Sequence, residues 1–475
     1  MRTFKIISPI FLLCLLLLSC QKYVDIQKSS NQTFLNTAND CQLLLDNYTV
    51  MNSDYPTDLE ISADDYYTSA ASYLAEAQPV ITSEEQALYS WQSSAIRAKA
   101  NANWLKPYLI TSNANLVLEA LAKIKEGTED PVKLNTLRGS ALFYRAYTLW
   151  FVAQMYAKPY SAATAAQDPG VPIRLTSDIN EKSSRGTVQD TYNQIISDLS
   201  EAVNLLPPTS SIATRPNKAA AYAMLARTYL SMEDYPKALI NANAAIQIKG
   251  ELLNYNSGAV NIYAFFSPFQ RYNKEVIFHS ISALTGILTP GIGFTSTAKI
   301  DLALAASYNA NDIRKIIFVK PNSGAHAGSF RFGANYEPTF GTSVLFNGLA
   351  VDELYITRAE CYARAGDKDN AMADLNKLLV NRWVTGTYTD QTAATADEAL
   401  TKVLEERRKE LLMRGLRWTD LRRLNKDNAR KKDLSRSITK NGVTTTFTLP
   451  ANDPRYVLLI PQNVIDNSSI AQNPR

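Results

Sequence analysis

The segment 218–248 constrains this chain's fold more than any other. Tyr222, Leu225, Ala226 and Tyr229 recur at helical spacing, and after a short break Tyr235, Ala238, Ala242 and Ala245 do the same. This order of large and small residues over two helices is the tetratricopeptide spacing. Small side chains at Ala226, Ala238 and Ala245 let two antiparallel helices approach, and the tyrosines fill the groove between them. A less complete unit covers 353–379, with Tyr355, Ala359, Tyr362 and Ala371 in corresponding places and Gly366-Asp367 at the turn. Ile195, Leu199, Ala202 and Pro207 form a third half-unit whose partner helix is expected at 137–156. Apolar periodicity at 98–124, 134–156 and 187–206 predicts long paired helices, the last stopped by Pro207-Pro208. The units are not in tandem. Well over a hundred positions separate Ala226 from Ala359, where adjacent repeats would be about 34 apart.

Something large is therefore inserted, and its composition sets it apart. Residues 251–350 hold 9 of the 18 glycines and 15 aromatic residues, none of them Trp, a mixture that favours loops and short strands over helices. Strands are expected at 275–281 and 315–319. Loops carried on a rigid scaffold usually bear function, so this insert is the expected carrier. The predicted fold class is mainly α: a tetratricopeptide-type helix-pair scaffold with a large loop-rich insert containing short strands.

With 46% hydrophobic and 20% charged residues, the 475-residue chain has ordinary globular composition, which excludes disorder as a whole. The net charge of +4 gives no global argument for nucleic acid. Only His279 and His326 occur, too few for a His-rich metal site, and no metal or cofactor is expected.

Residues 1–19 read as a signal peptide. Arg2 and Lys5 precede a short apolar run at 10–18, too short to span a bilayer, and Leu17-Leu18-Ser19-Cys20 has the lipobox pattern of bacterial lipoproteins. Lipidation is expected at Cys20; the plainer alternative is a secretory signal with an incidental cysteine. Residues 20–39 read as a polar tether, and 40–475 as one domain. Cys41 and Cys361 fit separately buried thiols better than a lone disulfide.

The charge-dense stretch 397–436 carries 13 basic against 8 acidic residues. Glu and Arg at helical spacing there predict salt-bridged exposed faces rather than a polyanion site, with Trp418 and Leu421 turned inward. Trp104, Trp150 and Trp383 are assigned to helices and to the core. Asp64-Asp65 and Glu84-Glu85 could be general acid and base, but adjacent carboxylates in polar segments are usually solvated, and no catalytic residue is assigned. Aromatic faces with polar partners beside them are the candidate ligand contacts. The candidates are Tyr66, Tyr67, Trp91, Tyr263, Phe265, Phe266 and Tyr336, with Asp65, Asn261 and Arg271 nearby in sequence.

Several motifs resemble one known family. Leu137-Arg138-Gly139-Ser140-Ala141-Leu142-Phe143-Tyr144-Arg145-Ala146 is similar to the "LRGEALFLRA" helix of SusD/RagB-type nutrient-binding lipoproteins. Arg185-Gly186-Thr187-Val188 with Tyr192 through Leu206 resembles the family's "R-x-T-V…Y-x-x-I-x-x-D-L" segment, and Asn273-Lys274-Glu275-Val276-Ile277-Phe278 its "N-K-E-V/I-I-F" strand. Residues 405–411 and 415–423 resemble "E-E-R-R-x-E-L…G-x-R-W-x-D-L-R-R". The end, 458–467 with Gln472-Asn473-Pro474, is similar to "P-I-P-x-x-E-I-x-x-N…Q-N-P", with Val464 in place of the usual acid. The resemblance implies a non-enzymatic lipoprotein held at the outer membrane by its lipid. It would face outward over a SusC-like TonB-dependent transporter and deliver oligosaccharides, or in some members peptides, with no role for nucleic acid. The acidic stretch that favours surface display is thin, Asp25 being the first acid after Cys20. A glycan-active enzyme and a purely structural tetratricopeptide adaptor are the competing classes.

Overall fold

The structure is a computed structural model and describes residues 35–75, 80–264, 267–289, 297–338 and 344–475. Cys20, Phe265 and Phe266 lie outside these residues.

Most of the long helices begin where a side chain supplies a cap. Helix α1 (Ala38–Leu45) starts from a capping box between Thr37 and Asp40. Ala38 is already buried, so the folded region begins inside the stretch read as tether. Helix α2 (Leu105–Leu121) starts later than its periodicity suggests. Helix α3 (Pro131–Tyr156) has Asp130 as cap and proline in its first turn, and is buried on every side from Gly139 onward. Helix α4 (Val188–Leu205) is capped by Thr187 with Asp190. Helices α5 (Lys218–Ser231) and α6 (Tyr235–Ile248) are capped by Asn217 and Asp234. Helices α7 (Val351–Arg364) and α8 (Lys368–Leu379) turn at Gly366, whose φ of +85° suits glycine. Helices α9 (Ala396–Glu410) and α10 (Arg417–Leu424) follow.

The helices stack in order, α2 on α3, then α4, α5, α6, α7 and α8, with α9 also against α7. The units at 218–248 and 351–379, remote in sequence, are thus direct neighbours in space. Ala226, Ala238, Ala242, Ala245, Ala359 and Ala371 are all buried at these contacts, as the small-residue pattern requires. Gly139 serves the same end: a Cβ there would come within 2.9 Å of Leu206 Cγ. Cys41 and Cys361 are free and separately buried.

Among the described residues, ten short strands make five antiparallel pairs. These are β1 (Tyr66–Tyr67) with β5 (Lys299–Ile300), β2 (Pro169–Pro172) with β3 (Arg185–Thr187), and β4 (Val276–Phe278) with β8 (Leu349–Ala350). The others are β6 (Val319–Pro321) with β7 (Phe330–Phe332), and the hairpin β9 (Leu434–Lys440) with β10 (Val443–Leu449). The strand expected at 315–319 is mostly a helical turn, Ile313–Phe318, because Asp312 caps it by accepting from the Arg314 amide at 2.9 Å. The β4–β8 pair ties off the insert at its base, and there a Cβ on Gly348 would meet Phe278 O at 2.1 Å. Phe278 meets Phe143 and Tyr147 of α3 edge to face at 4.9 and 5.3 Å, and Tyr147 meets Tyr55 at 5.2 Å. One aromatic cluster thus joins the early segment, the scaffold and the insert.

The charged face of α9 and α10 departs from its sequence reading. Glu406, Arg407, Glu410, Asp420, Arg422 and Arg423 are buried, not solvent-facing. Arg314 binds Asp312, Glu406 and Glu410 at 2.6, 2.7 and 2.9 Å. Arg382 binds Glu410 at 2.7 Å and Glu275 at 2.9 Å, while Arg423 binds Glu360 and Asp420. The helical spacing is right, but the partners come from other elements and exclude water. Trp150 and Trp418 are fully buried and Trp104 nearly so, whereas Trp383 lies half-buried in the turn after α8 rather than in a helix.

Candidate functional site

The structure brings the early segment and the insert into one layer beside the helices. The β1–β5 pairing sets Tyr66 opposite Ile300 and Tyr67 opposite Lys299. Ala283 donates to Tyr55 O and Asp301 to Asp65 O, at 2.8 and 2.9 Å. The described aromatic candidates separate. Tyr67 is half-buried and Tyr263 is 85% exposed, so both keep a reachable ring face. Burial raises the Tyr67 hydroxyl pKa, helped by Tyr89 and Asp301. Phe265 and Phe266 lie outside the described residues.

Tyr66, Trp91 and Tyr336 are core, which corrects their reading as ligand contacts. The Arg436 guanidinium, from β9, lies over the rings of Tyr66, Tyr89 and Trp91 at 5.2, 3.8 and 4.5 Å. The Trp91 indole donates to Ser62 O at 2.9 Å. Tyr336 donates to Glu275 Oε2 at 2.5 Å and lies beneath Arg414. Their polar neighbours are engaged as well: Arg271 binds Glu337, and Asp65 accepts from Arg408 at 2.8 Å.

Asp64 and Asp65 are not solvated. Asp64 accepts from Arg417 at 2.6 Å and Lys432 at 2.7 Å, and Arg417 holds its carboxyl well below the usual range against the penalty of burial. Burial raises Asp65 despite Arg408. Glu84 binds Arg97 at 3.2 Å, and Glu85 closes a capping box with Thr82. Both pairs are committed to structural contacts. Among the described residues no cluster of three or more His, Cys, Asp or Glu could hold a metal ion, and no helix is long and apolar enough to cross a membrane.

A second candidate was not visible in the sequence. A cavity of about 520 Å³ opens between the end of α3, α10 and the C-terminal segment. Prolines form much of its wall, including Pro159, Pro454 and Pro474, and its polar lining includes Lys158, Arg422, Asn425 and Asn473. Asn473 donates to Tyr156 O and Leu458 O at 2.9 and 2.8 Å, which fixes the chain end against α3. The only sequence signal was the terminal motif, which identifies a family and says nothing of a cavity.

Residues 22–230 match the family model described as "Starch-binding associating with outer membrane", and residues 352–475 match the model of the SusD family. The chain is 23% identical over 429 residues to the SusD-like protein P2 of Formosa agariphila, covering 78% of this chain and 80% of that protein. The fold is similar to that of a SusD superfamily protein from Bacteroides thetaiotaomicron, with TM-score 0.72 and 22% identity over 92% of this chain and 100% of that one. A SusD-like carbohydrate binding protein from Bacteroides vulgatus gives TM-score 0.67 and 18% identity over 91% and 97%. The helical scaffold with its short-strand insert is the SusD architecture. The chain belongs to the SusD/RagB family.

Proposed function

We propose that this protein is a lipid-anchored outer-membrane protein that captures oligosaccharides and passes them, uncleaved, to a SusC-like TonB-dependent transporter. One observation carries the reading. Between the two family matches, beyond helix α6, the insert pairs with the early segment through β1 and β5, and Tyr67 and Tyr263 keep reachable ring faces beside the helical scaffold. A shared scaffold with a separate loop layer suits a family whose members hold different ligands. Exposed tyrosine faces suit sugar C–H groups. Membership of a family described as associating with the outer membrane supports anchoring through Cys20, the first residue of the tether 20–39 that precedes the domain 40–475.

The test is calorimetric titration with a panel of oligosaccharides, followed by chromatography of the ligand. Retention without shortening is expected, weakened in Tyr67→Ala and Tyr263→Ala at unchanged melting temperature. Shortened ligand would establish an enzyme instead, and retention of peptides alone would move the protein to the peptide-binding side of the family.

A further inference from the structure

Most of the buried arginines of this protein follow a rule that Arg422 breaks. Arg97, Arg145, Arg227, Arg314, Arg382 and Arg423 each contact at least one carboxylate, as a buried cation requires. Arg436 has no such contact among the described residues but is covered by three aromatic rings. Arg422 is 3% exposed and has neither form of support. Its two terminal nitrogens donate to Gln154 O and Ala157 O at the end of α3, and its Nε has no hydrogen-bond partner. A helix C-terminus supplies only about half a negative charge. Burial without a carboxylate accordingly lowers the Arg422 pKa to about 10.

This uncompensated cation lines the 520 Å³ cavity, within the range of roughly 300–1,000 Å³ typical of small-molecule sites. Other donors share the wall. Asn425 Nδ2 has no well-formed hydrogen bond, and the Arg475 Nε is likewise unpaired. Lys158 stands half-exposed and bound to Asp168 at 2.7 Å. The one acid in the lining, Asp453, is taken up by Arg455, which donates to both its oxygens at 2.8 Å. The cavity therefore has apolar proline walls and an excess of positive charge.

We propose that this cavity is a binding site for a monosaccharide-sized organic carboxylate, of which a uronic acid is the sugar form, with Arg422 as the buried counter-charge. The carboxylate need not touch Nε, since opposite charges about 4–6 Å apart in a poorly solvated wall still attract strongly. The ring would lie on the proline faces, and amides such as Asn425 would meet hydroxyls. The site is separate from the Tyr67–Tyr263 layer and stands or falls independently of it.

The test uses the full mature chain, with glucuronate, glucose and inorganic sulfate as probes in calorimetry and melting assays. Glucuronate is expected to bind roughly 10–100-fold more tightly than glucose, the range a charged hydrogen-bonding partner supplies. Arg422→Met should erase that preference. If this variant does not fold, Lys158→Glu, at a half-exposed position, decides the matter by weakening glucuronate and leaving glucose unchanged. Equal affinity for glucose and glucuronate, no binding of either, or glucuronate binding unaltered in the folded variants would overturn the proposal. Sulfate binding as tightly as glucuronate would overturn the assignment to carboxylates.

Discussion

Arg422 and Arg423 are consecutive residues in α10, equally buried, and they face two different regions of the molecule. Arg423 enters the ion network of the scaffold, where Glu360 and Asp420 accept from it. Arg422 turns to the C-terminal cavity and finds only main-chain carbonyls. In the network, charge is matched within the protein and its role is to hold helices and insert in register. In the cavity, charge is left unmatched. The contrast teaches that burial of an arginine is not by itself informative, whereas burial without a carboxylate is.

The largest effect should come from breaking the network at its centre. Arg382→Met leaves Glu275 buried without its cation and Glu410 with Arg314 alone, and a loss of about 3–5 kcal/mol is expected in denaturant unfolding. Packing in the same region gives the next test. Ala226→Leu should cost roughly 1–3 kcal/mol, because the α5 surface has no room for the added carbons, and an unchanged melting temperature would refute the close helix approach.

Arg422→Met sharpens the comparison from the other side. It leaves two carbonyls short of a donor but strands no carboxylate, so about 1–2 kcal/mol is expected, clearly less than for Arg382→Met. Equal losses would mean that the two regions do not differ.

A last test is read as a pH slope and concerns Glu60, the acidic counterpart of Arg422. Its Oε2 accepts from the Gly415 amide at 2.9 Å and its Oε1 has no partner. Burial, then repulsion from Asp65, pushes its pKa up to about 8 from an ordinary 4.5. The folded state therefore holds a proton that the unfolded state releases. This contribution to stability is complete below about pH 4.5 and is lost as pH rises through 8. Melting curves from pH 5 to 9 should decline less steeply in Glu60→Gln than in the parent.

The helix pairs were legible because their signal is local: Ala226 and Ala238 sit at fixed spacing whatever surrounds them. The family, too, could be read from short motifs. The buried network could not be, since Glu406 and Arg407 have the same spacing on a wet face as on a dry one. What decides is Arg314 from the insert and Asp420 beyond the next turn. Trp91 misled for the same reason, as the side chain that covers it, Arg436, belongs to a distant hairpin. The cavity was illegible because it is defined by the absence of a partner.

The β4–β8 pair brings Phe278 and Leu349 together as a two-stranded neck at the base of the excursion between them, held close by the missing side chain of Gly348. The entropy of closing such a loop grows only logarithmically with its length, so doubling the excursion would cost about 0.6 kcal/mol. Length beyond the neck is thus nearly a free thermodynamic variable, whereas residues that bind the helices, such as Arg314, are not. A relative could lengthen the excursion at little cost, provided that a residue in the place of Arg314 still meets the buried carboxylates of Glu406 and Glu410.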